Sequence, residues 1–284
     1  MGKPVIVGVD SSQASRDALD WAAREASLRG EPLSVRHIWG EETVRSPDGR
    51  ESPPSRQAGE ALLDEVLSQA LRRYPDLEVS IELSDGRLRD AMTEAAHSAD
   101  LLVLGARGSG GFPGLLVGST SLSVAARAAC PVVVVRPADA GPATGGVVAG
   151  VHGDRGDDEV LGFAFEFAQR RGLPLLAVHA WSYPLITMPG HANPPVFEES
   201  HIAAERARLV AEVLAGWRER FPEVDVTGTA VRAQPAGELV TRSHERQLVV
   251  VGRRGEPHGP LGRLGSTSQA TVLHAACPVA VVPT

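Results

Sequence analysis

The two halves of this chain repeat each other, and a repeat of this length leaves few architectures open. Val103-Leu-Gly-Ala-Arg-Gly108 returns as Val250-Val-Gly-Arg-Arg-Gly255, Gly118-Ser-Thr-Ser121 as Gly265-Ser-Thr-Ser268, and Ala128-Ala-Cys-Pro-Val132 as Ala275-Ala-Cys-Pro-Val279, all displaced by 147 positions. Near the start, Val7-Gly-Val-Asp10 answers to Ala149-Gly-Val-His152 and His37 to His179, at an offset of 142. The length difference therefore falls between the early and late motifs. Residues 138–145, Ala-Asp-Ala-Gly-Pro-Ala-Thr-Gly, are small and lack apolar periodicity, the composition of a linker. Two domains follow, 1–137 and 146–284.

Apolar runs alternate with helix-spaced patterns inside each copy. In the first, strands are expected over Pro4–Val9, Leu33–Trp39, Leu77–Leu83, Leu101–Leu104 and Val132–Val135, all of the buried, parallel type. Helices are expected over Ala14–Leu28, Arg56–Tyr74, Leu88–Ser98 and Ser119–Ala129, with Asp10 or Ser11 and Asp85 as caps. Strand then helix, repeated, builds a parallel sheet with helices on both faces, because right-handed crossovers place them there. The fold class is α/β: two tandem doubly wound domains, each with a five-stranded parallel sheet. Proline-bearing insertions at 40–55 and 182–195 read as mobile surface loops. The short apolar strands that end each copy, Val132–Val135 and Val279–Val282, are edges that invite pairing.

Composition removes several function classes. With 284 residues and 43% hydrophobic content, each half can bury its own core. The net charge of −7 is spread without a basic block, so no nucleic-acid partner is expected. Met1–Val9 lacks the pattern of a signal peptide and no apolar run nears the ~18 residues of a membrane span, so no membrane partner is expected either. The two cysteines, Cys130 and Cys277, each precede a proline and form neither a CxxC pair nor a disulfide framework. A reduced, cytoplasmic setting fits this usage. Lys3 is the only lysine, so cationic contacts must come from arginine.

In a doubly wound sheet the ligand lies beyond the carboxyl ends of the strands, at the switch point. The glycine motif falls there: Gly105-Ala-Arg-Gly108, nine residues, then Gly118-Ser119-Thr120, repeated with the same spacing as Gly252-Arg-Arg-Gly255 and Gly265-Ser266-Thr267. Glycines allow close backbone approach, and successive N–H groups with neighbouring hydroxyls cradle phosphate oxygens. A Walker A loop needs a lysine that this chain does not supply there, and the dinucleotide fingerprint belongs after the first strand, where Val-Asp-Ser-Ser stands instead.

These residues resemble the ATP-binding branch of the universal stress protein family, whose signature is Gly-x2-Gly-x9-Gly-Ser/Thr after the fourth strand, and the resemblance covers nearly all of both halves. It implies an adenine nucleotide alpha hydrolase-like fold that binds ATP, with Mg2+ brought by the nucleotide. Carried over, Asp10 meets the adenine with Gly8, Val9 and Ile38 beside it. Leu104, Gly105, Arg107 and Gly108 line ribose and phosphates, and Gly118, Ser119, Thr120 and Ser121 hold the phosphate tail. In the second copy the positions are Gly150, His152, Ala180, Val251, Gly252, Arg254, Gly255, Gly265, Ser266, Thr267 and Ser268. His152 stands where the first copy has Asp10, with Asp154 two residues on, and imidazole does not reproduce a carboxylate acceptor. One site is expected to hold ATP and the other is in question. The family pairs through the last strand, so the fusion can satisfy that edge within one chain, and a homodimer of the whole chain stays open.

Plainer readings stand beside these. Asp10 can be a helix cap, isolated glycines can be turn residues, and His37 and His179 read as packing or hydrogen-bonding residues at the sheet end. No catalytic residue is assigned, because no positioned base and no lysine near the phosphates can be named. No His/Cys/carboxylate cluster has ligand spacing, so no protein-only metal site is assigned. The leading functional expectation is an ATP-binding stress-response regulator or sensor read by an unidentified downstream protein. A slow ATPase, or a binder of another adenylate such as a cyclic nucleotide, is the alternative.

Overall fold

The computed structural model describes residues 2–39, 44–45, 51–52, 55–108, 116–136, 145–153, 157–182, 196–253 and 264–284. In chain order the elements are β1 (Val5–Gly8), α1 (Gln13–Arg29), β2 (Leu33–Trp39), β3 (Val44–Arg45), β4 (Glu51–Ser52), α2 (Arg56–Arg73), β5 (Val79–Asp85), α3 (Leu88–Ala95), β6 (Leu101–Gly105), α4 (Ser119–Ala125) and β7 (Val132–Val135). The second copy follows with β8 (Val147–Gly150), α5 (Asp157–Arg171), β9 (Leu175–Trp181), α6 (Val196–Arg220), β10 (Val226–Arg232), α7 (Pro235–Arg242), β11 (Leu248–Gly252), α8 (Ser266–His274) and β12 (Val279–Val282). The chain forms two compact units. One is Met1–Pro142 with Arg253–His274 and Pro278–Pro283; the other is Ala143–Gly252 with Ala275–Cys277 and Thr284.

The five strands that the first copy gives to the first unit run in the order β5-β2-β1-β6-β7, all parallel. The chain winds outward from β1 through β2 to β5, then returns to the other side of β1 with β6. That reversal puts the topological switch point between β1 and β6. Val5, Ile6, Val7, Leu101, Leu102 and Val103 are fully buried there, each side chain contributing on the order of 1.5–3 kcal/mol. Such runs can only be central strands, covered on both faces. β5 departs from the expectation of a buried strand: it begins two residues later, and Ser80, Ile81, Glu82 and Asp85 are exposed. Its place at the sheet edge, fixed by strand order rather than by its own composition, is the reason.

The caps also differ from expectation. Ser12, not Asp10 or Ser11, caps α1, its hydroxyl accepting from Ser15 N. Asp85 belongs to β5, and α3 starts after Arg87 with no side-chain cap. The first insertion carries a small antiparallel ribbon, β3 with β4. Residues 183–195 of the second insertion and 138–144 of the linker lie outside the described residues.

The second unit repeats the winding with β10-β9-β8-β11, again parallel. The last strand of the second copy is grouped with the first unit. There β12 pairs antiparallel with β7, Val279 opposite Val134 and Val281 opposite Val132. Arg136, just past β7, donates from Nη1 to the carbonyls of Val272 and Leu273 at 3.1 and 2.8 Å, near the carboxyl end of α8. Arg253 donates to the carbonyl of Ala128 at 2.8 Å. Cationic donors at a helix carboxyl end satisfy carbonyls that the helix leaves open.

Cys130 is buried at the start of β7. Burial, helped by the negative charge of Asp100, pushes its thiol up to about 12. The thiolate is the reactive form, so Cys130 is expected to resist a thiol reagent in the native chain at about pH 8 and to react fully once the chain is unfolded. Rapid labelling of native Cys130, located by peptide mapping, would contradict that burial. No described helix is long and apolar enough to cross a membrane.

Candidate functional site

The loop leaving β1 is closed by a chain of short polar contacts. Asp10 N donates to Ser15 Oγ at 2.8 Å, and Ser12 N donates to Asp10 Oδ1 at 2.9 Å. Ser12 Oγ in turn donates to the carbonyl of Arg107 at 3.3 Å, which ties this loop to the one leaving β6. Asp10 is half-buried and serves the loop, without being the cap of α1. His37 Nδ1 lies 2.8 Å from the carbonyl of Val9. A carbonyl only accepts, so Nδ1 carries the proton and the ring pins the end of β1. His179 makes the same contact to Val151 at 3.1 Å, which supports the hydrogen-bonding reading of both histidines.

The structure thus brings Gly8, Val9, Asp10, Leu104, Gly105, Arg107 and Gly108 to one end of β1 and β6. The side chains of Val9 and Leu104 are buried, so only their backbone is available to a ligand. Ile38 is one residue before the end of β2, paired with Ser84. Ser121 is buried and donates to the carbonyl of Gly105 at 2.8 Å, so its hydroxyl holds the loop together. Ser119 is exposed and Thr120 half-buried.

The motif glycines have different physical grounds. A Cβ on Gly105 would lie 2.7 Å from the carbonyl oxygen of Ala14, 2.8 Å from its carbon and 3.1 Å from Ser15 N. All three are backbone atoms of α1, so this glycine is demanded by strand-helix packing. Gly118 is unlike it. Its φ of −71° and ψ of 150° suit any residue, and a Cβ there would meet only Ala106 O at 3.7 Å, an ordinary contact. Nothing inside the described fold requires glycine at 118.

Ser119 and Thr120 line a cleft of about 250 Å³ together with Arg87 and Arg89. Neither arginine is legible from the glycine motif; they arrive because α3 packs against α4. The chain's shortage of lysine is the one sequence signal that pointed toward arginine.

The second copy is wired differently. Asp157, at the position of Ser15, accepts from His152 N at 2.9 and 3.0 Å and also from Gly153 N. The carboxylate has moved from the strand end to the helix. It is 4% exposed and spent on the backbone, so it does not replace Asp10 toward a ligand. The rings of His152 and His179 meet edge to face, centroids 6.5 Å apart. Burial pushes His179 below its usual imidazole range, and its buried Nε2 has no hydrogen-bond partner among the described residues. Gly150, His152, Ala180, Val251 and Gly252 lie in the second unit, whereas Gly265, Ser266, Thr267 and Ser268 are grouped with the first. Gly265 N donates to the carbonyl of Arg253 at 3.1 Å, as Gly118 N does to Ala106 at 2.7 Å. Arg254, Gly255 and Asp154 lie outside the described residues.

The sequence profile of the universal stress protein family matches residues 1–136 and again 146–283. A universal stress protein of Mycobacterium tuberculosis is 37% identical over 289 residues, covering 98% of this chain and 95% of its own. One from Mycolicibacterium smegmatis is 36% identical, covering 98% and 96%. Among solved structures, a universal stress protein from Archaeoglobus fulgidus superposes with a TM-score of 0.68 at 15% identity, covering 99% of this chain and 97% of that one. A doubled family profile, full-length relatives above 30% identity and a shared fold agree, and the chain belongs to the universal stress protein family.

Proposed function

We propose that this chain is a stress-response protein that binds ATP at the β1/β6 switch point of its first unit and passes that occupancy on to a partner protein. The observation that carries the reading is Gly118. Its conformation needs no glycine and no atom of the described residues crowds its Cβ position, yet glycine stands there, beside two hydroxyls whose cleft also holds two guanidinium groups. Space kept free beside phosphate-binding chemistry fits a group that approaches the backbone closely. Asp10 supplies an acceptor at the adenine end, Gly108, Ser119 and Thr120 supply donors at the phosphate end, and Gly118, whose N–H is taken by the carbonyl of Ala106, supplies room rather than a donor. Mg2+ would arrive with the nucleotide, held by phosphate oxygens and water.

At the position of Asp10 the second copy has His152, so one nucleotide per chain is expected. The test is to denature the purified intact chain, then identify and count what is released. One adenylate per chain is the expected result, together with a rise in melting temperature on adding MgATP; saturation at 100 times Kd corresponds to about 2.7 kcal/mol. Neither released adenylate nor a thermal shift would remove the proposal. Recovery of a cyclic adenylate instead of ATP would select the alternative ligand.

A further inference from the structure

We propose that Arg87 and Arg89 make the first site selective for nucleoside di- and triphosphates over monophosphates, with a pair of cations that the second copy does not carry at the corresponding positions. The inference rests on the adenine-nucleotide reading above and extends it to residues outside the glycine motif. Both arginines line the same cleft as Ser119 and Thr120. Its volume, about 250 Å³, is below the 300–1,000 Å³ of sites that enclose a whole small ligand, so it suits a phosphate tail whose adenosine lies elsewhere.

Chemistry points the same way. Each added phosphoryl group brings negative charge and further acceptor oxygens, and guanidinium groups bind such oxygens through charge-assisted, often bidentate, hydrogen bonds. Arg87 is exposed and Arg89 half-buried. Among the described residues, Asp90 engages Arg89 through Nε at 3.4 Å, a long contact for a group with five N–H donors. With Lys3 the only lysine, arginine is the cation the chain can offer a polyphosphate here.

The second copy is an internal control. At the 147-position displacement that relates the glycine motifs, α3 corresponds to α7, and Arg87, Leu88 and Arg89 become Gln234, Pro235 and Ala236. Neither guanidinium has a counterpart, and Pro235 also removes a backbone N–H. The two copies share glycine spacing and differ in charge.

The test is calorimetric titration of the nucleotide-free full chain with ATP, AMP and inorganic tripolyphosphate, each with Mg2+. ATP is expected to bind at least about tenfold more tightly than AMP. In Arg87→Ala/Arg89→Ala the affinity for ATP should fall roughly 10- to 100-fold, far more than that for AMP, so the ratio collapses. Arg87→Lys/Arg89→Lys should recover part of it, and circular dichroism and melting temperature confirm that each variant folds. An ATP/AMP ratio unchanged in the alanine variant overturns the proposal, as does an equal loss for both ligands. If neither nucleotide binds but tripolyphosphate binds in an arginine-dependent way, the adenine reading falls and the arginine assignment stands. If none of the three binds, both fall.

Discussion

Gly105→Ala is expected to destabilise the first unit by about 2–3 kcal/mol, roughly 5–10 °C in melting temperature, while Gly118→Ala leaves stability nearly unchanged. The contrast comes from what a methyl group would meet. At 105 it would lie 2.7–2.8 Å from the peptide group of Ala14, and relief would require β6 and α1 to move apart, since backbone cannot rotate away as a side chain can. At 118 the nearest atom among the described residues is 3.7 Å away and the backbone is already in an ordinary extended conformation. Thermal melts of the two variants decide the matter. Equal, small shifts would mean that β6 and α1 are not packed as described.

Gly118→Glu is expected to abolish ATP binding at the first site, a loss of more than about 100-fold, with the fold retained. The added carboxylate would enter the side of the cleft where Ser119 and Thr120 stand, meeting phosphate with like charge and occupying the Arg87 and Arg89 guanidinium groups instead. Because no described residue crowds Gly118, the melting temperature of the variant is expected to stay near wild type, which separates loss of binding from loss of fold. Gly265→Glu should leave the released nucleotide at its wild-type count. The measurement is nucleotide content per chain after purification. A Gly118→Glu chain that still carries its full complement would place the ligand elsewhere.

How much of this could be read from residues alone depends on range. The central strands are legible because β1, β6 and β7 are continuous apolar runs, and the observed limits of β2 and β7 coincide with those expected. The exposure of β5 is not, because an edge position is set by the order of strands. Ser12 outcompetes Asp10 and Ser11 as the cap of α1 for a similar reason. Asp and Ser both suit a cap, and only the hydrogen bond that Ser15 N donates to Ser12 Oγ settles which residue caps the helix. Glycine spacing exposes the phosphate loop because it is local and repeated. Arg87 and Arg89 reach the same cleft from α3, about thirty residues away in sequence, through the packing of one helix on another. The replacement of Asp10 by His152 is visible in the sequence, but the arrival of a carboxylate, Asp157, at the position of Ser15 is hidden. Asp157 reads as an ordinary acid in the first turn of α5 until its two backbone donors are seen.

The pairing of β12 with β7 has a consequence for synthesis on the ribosome. β7 is complete at residue 135, but the strand that covers its free edge ends at residue 282. At about 5–20 residues per second, the intervening stretch of roughly 150 residues takes on the order of 10–30 s to translate. During that interval the nascent first unit displays a fully apolar Val132–Val135 edge with unpaired backbone groups, and Arg136 has no α8 to cap. Growing chains on one messenger are therefore vulnerable to joining through β7, and the fused arrangement closes that window only once its far end emerges.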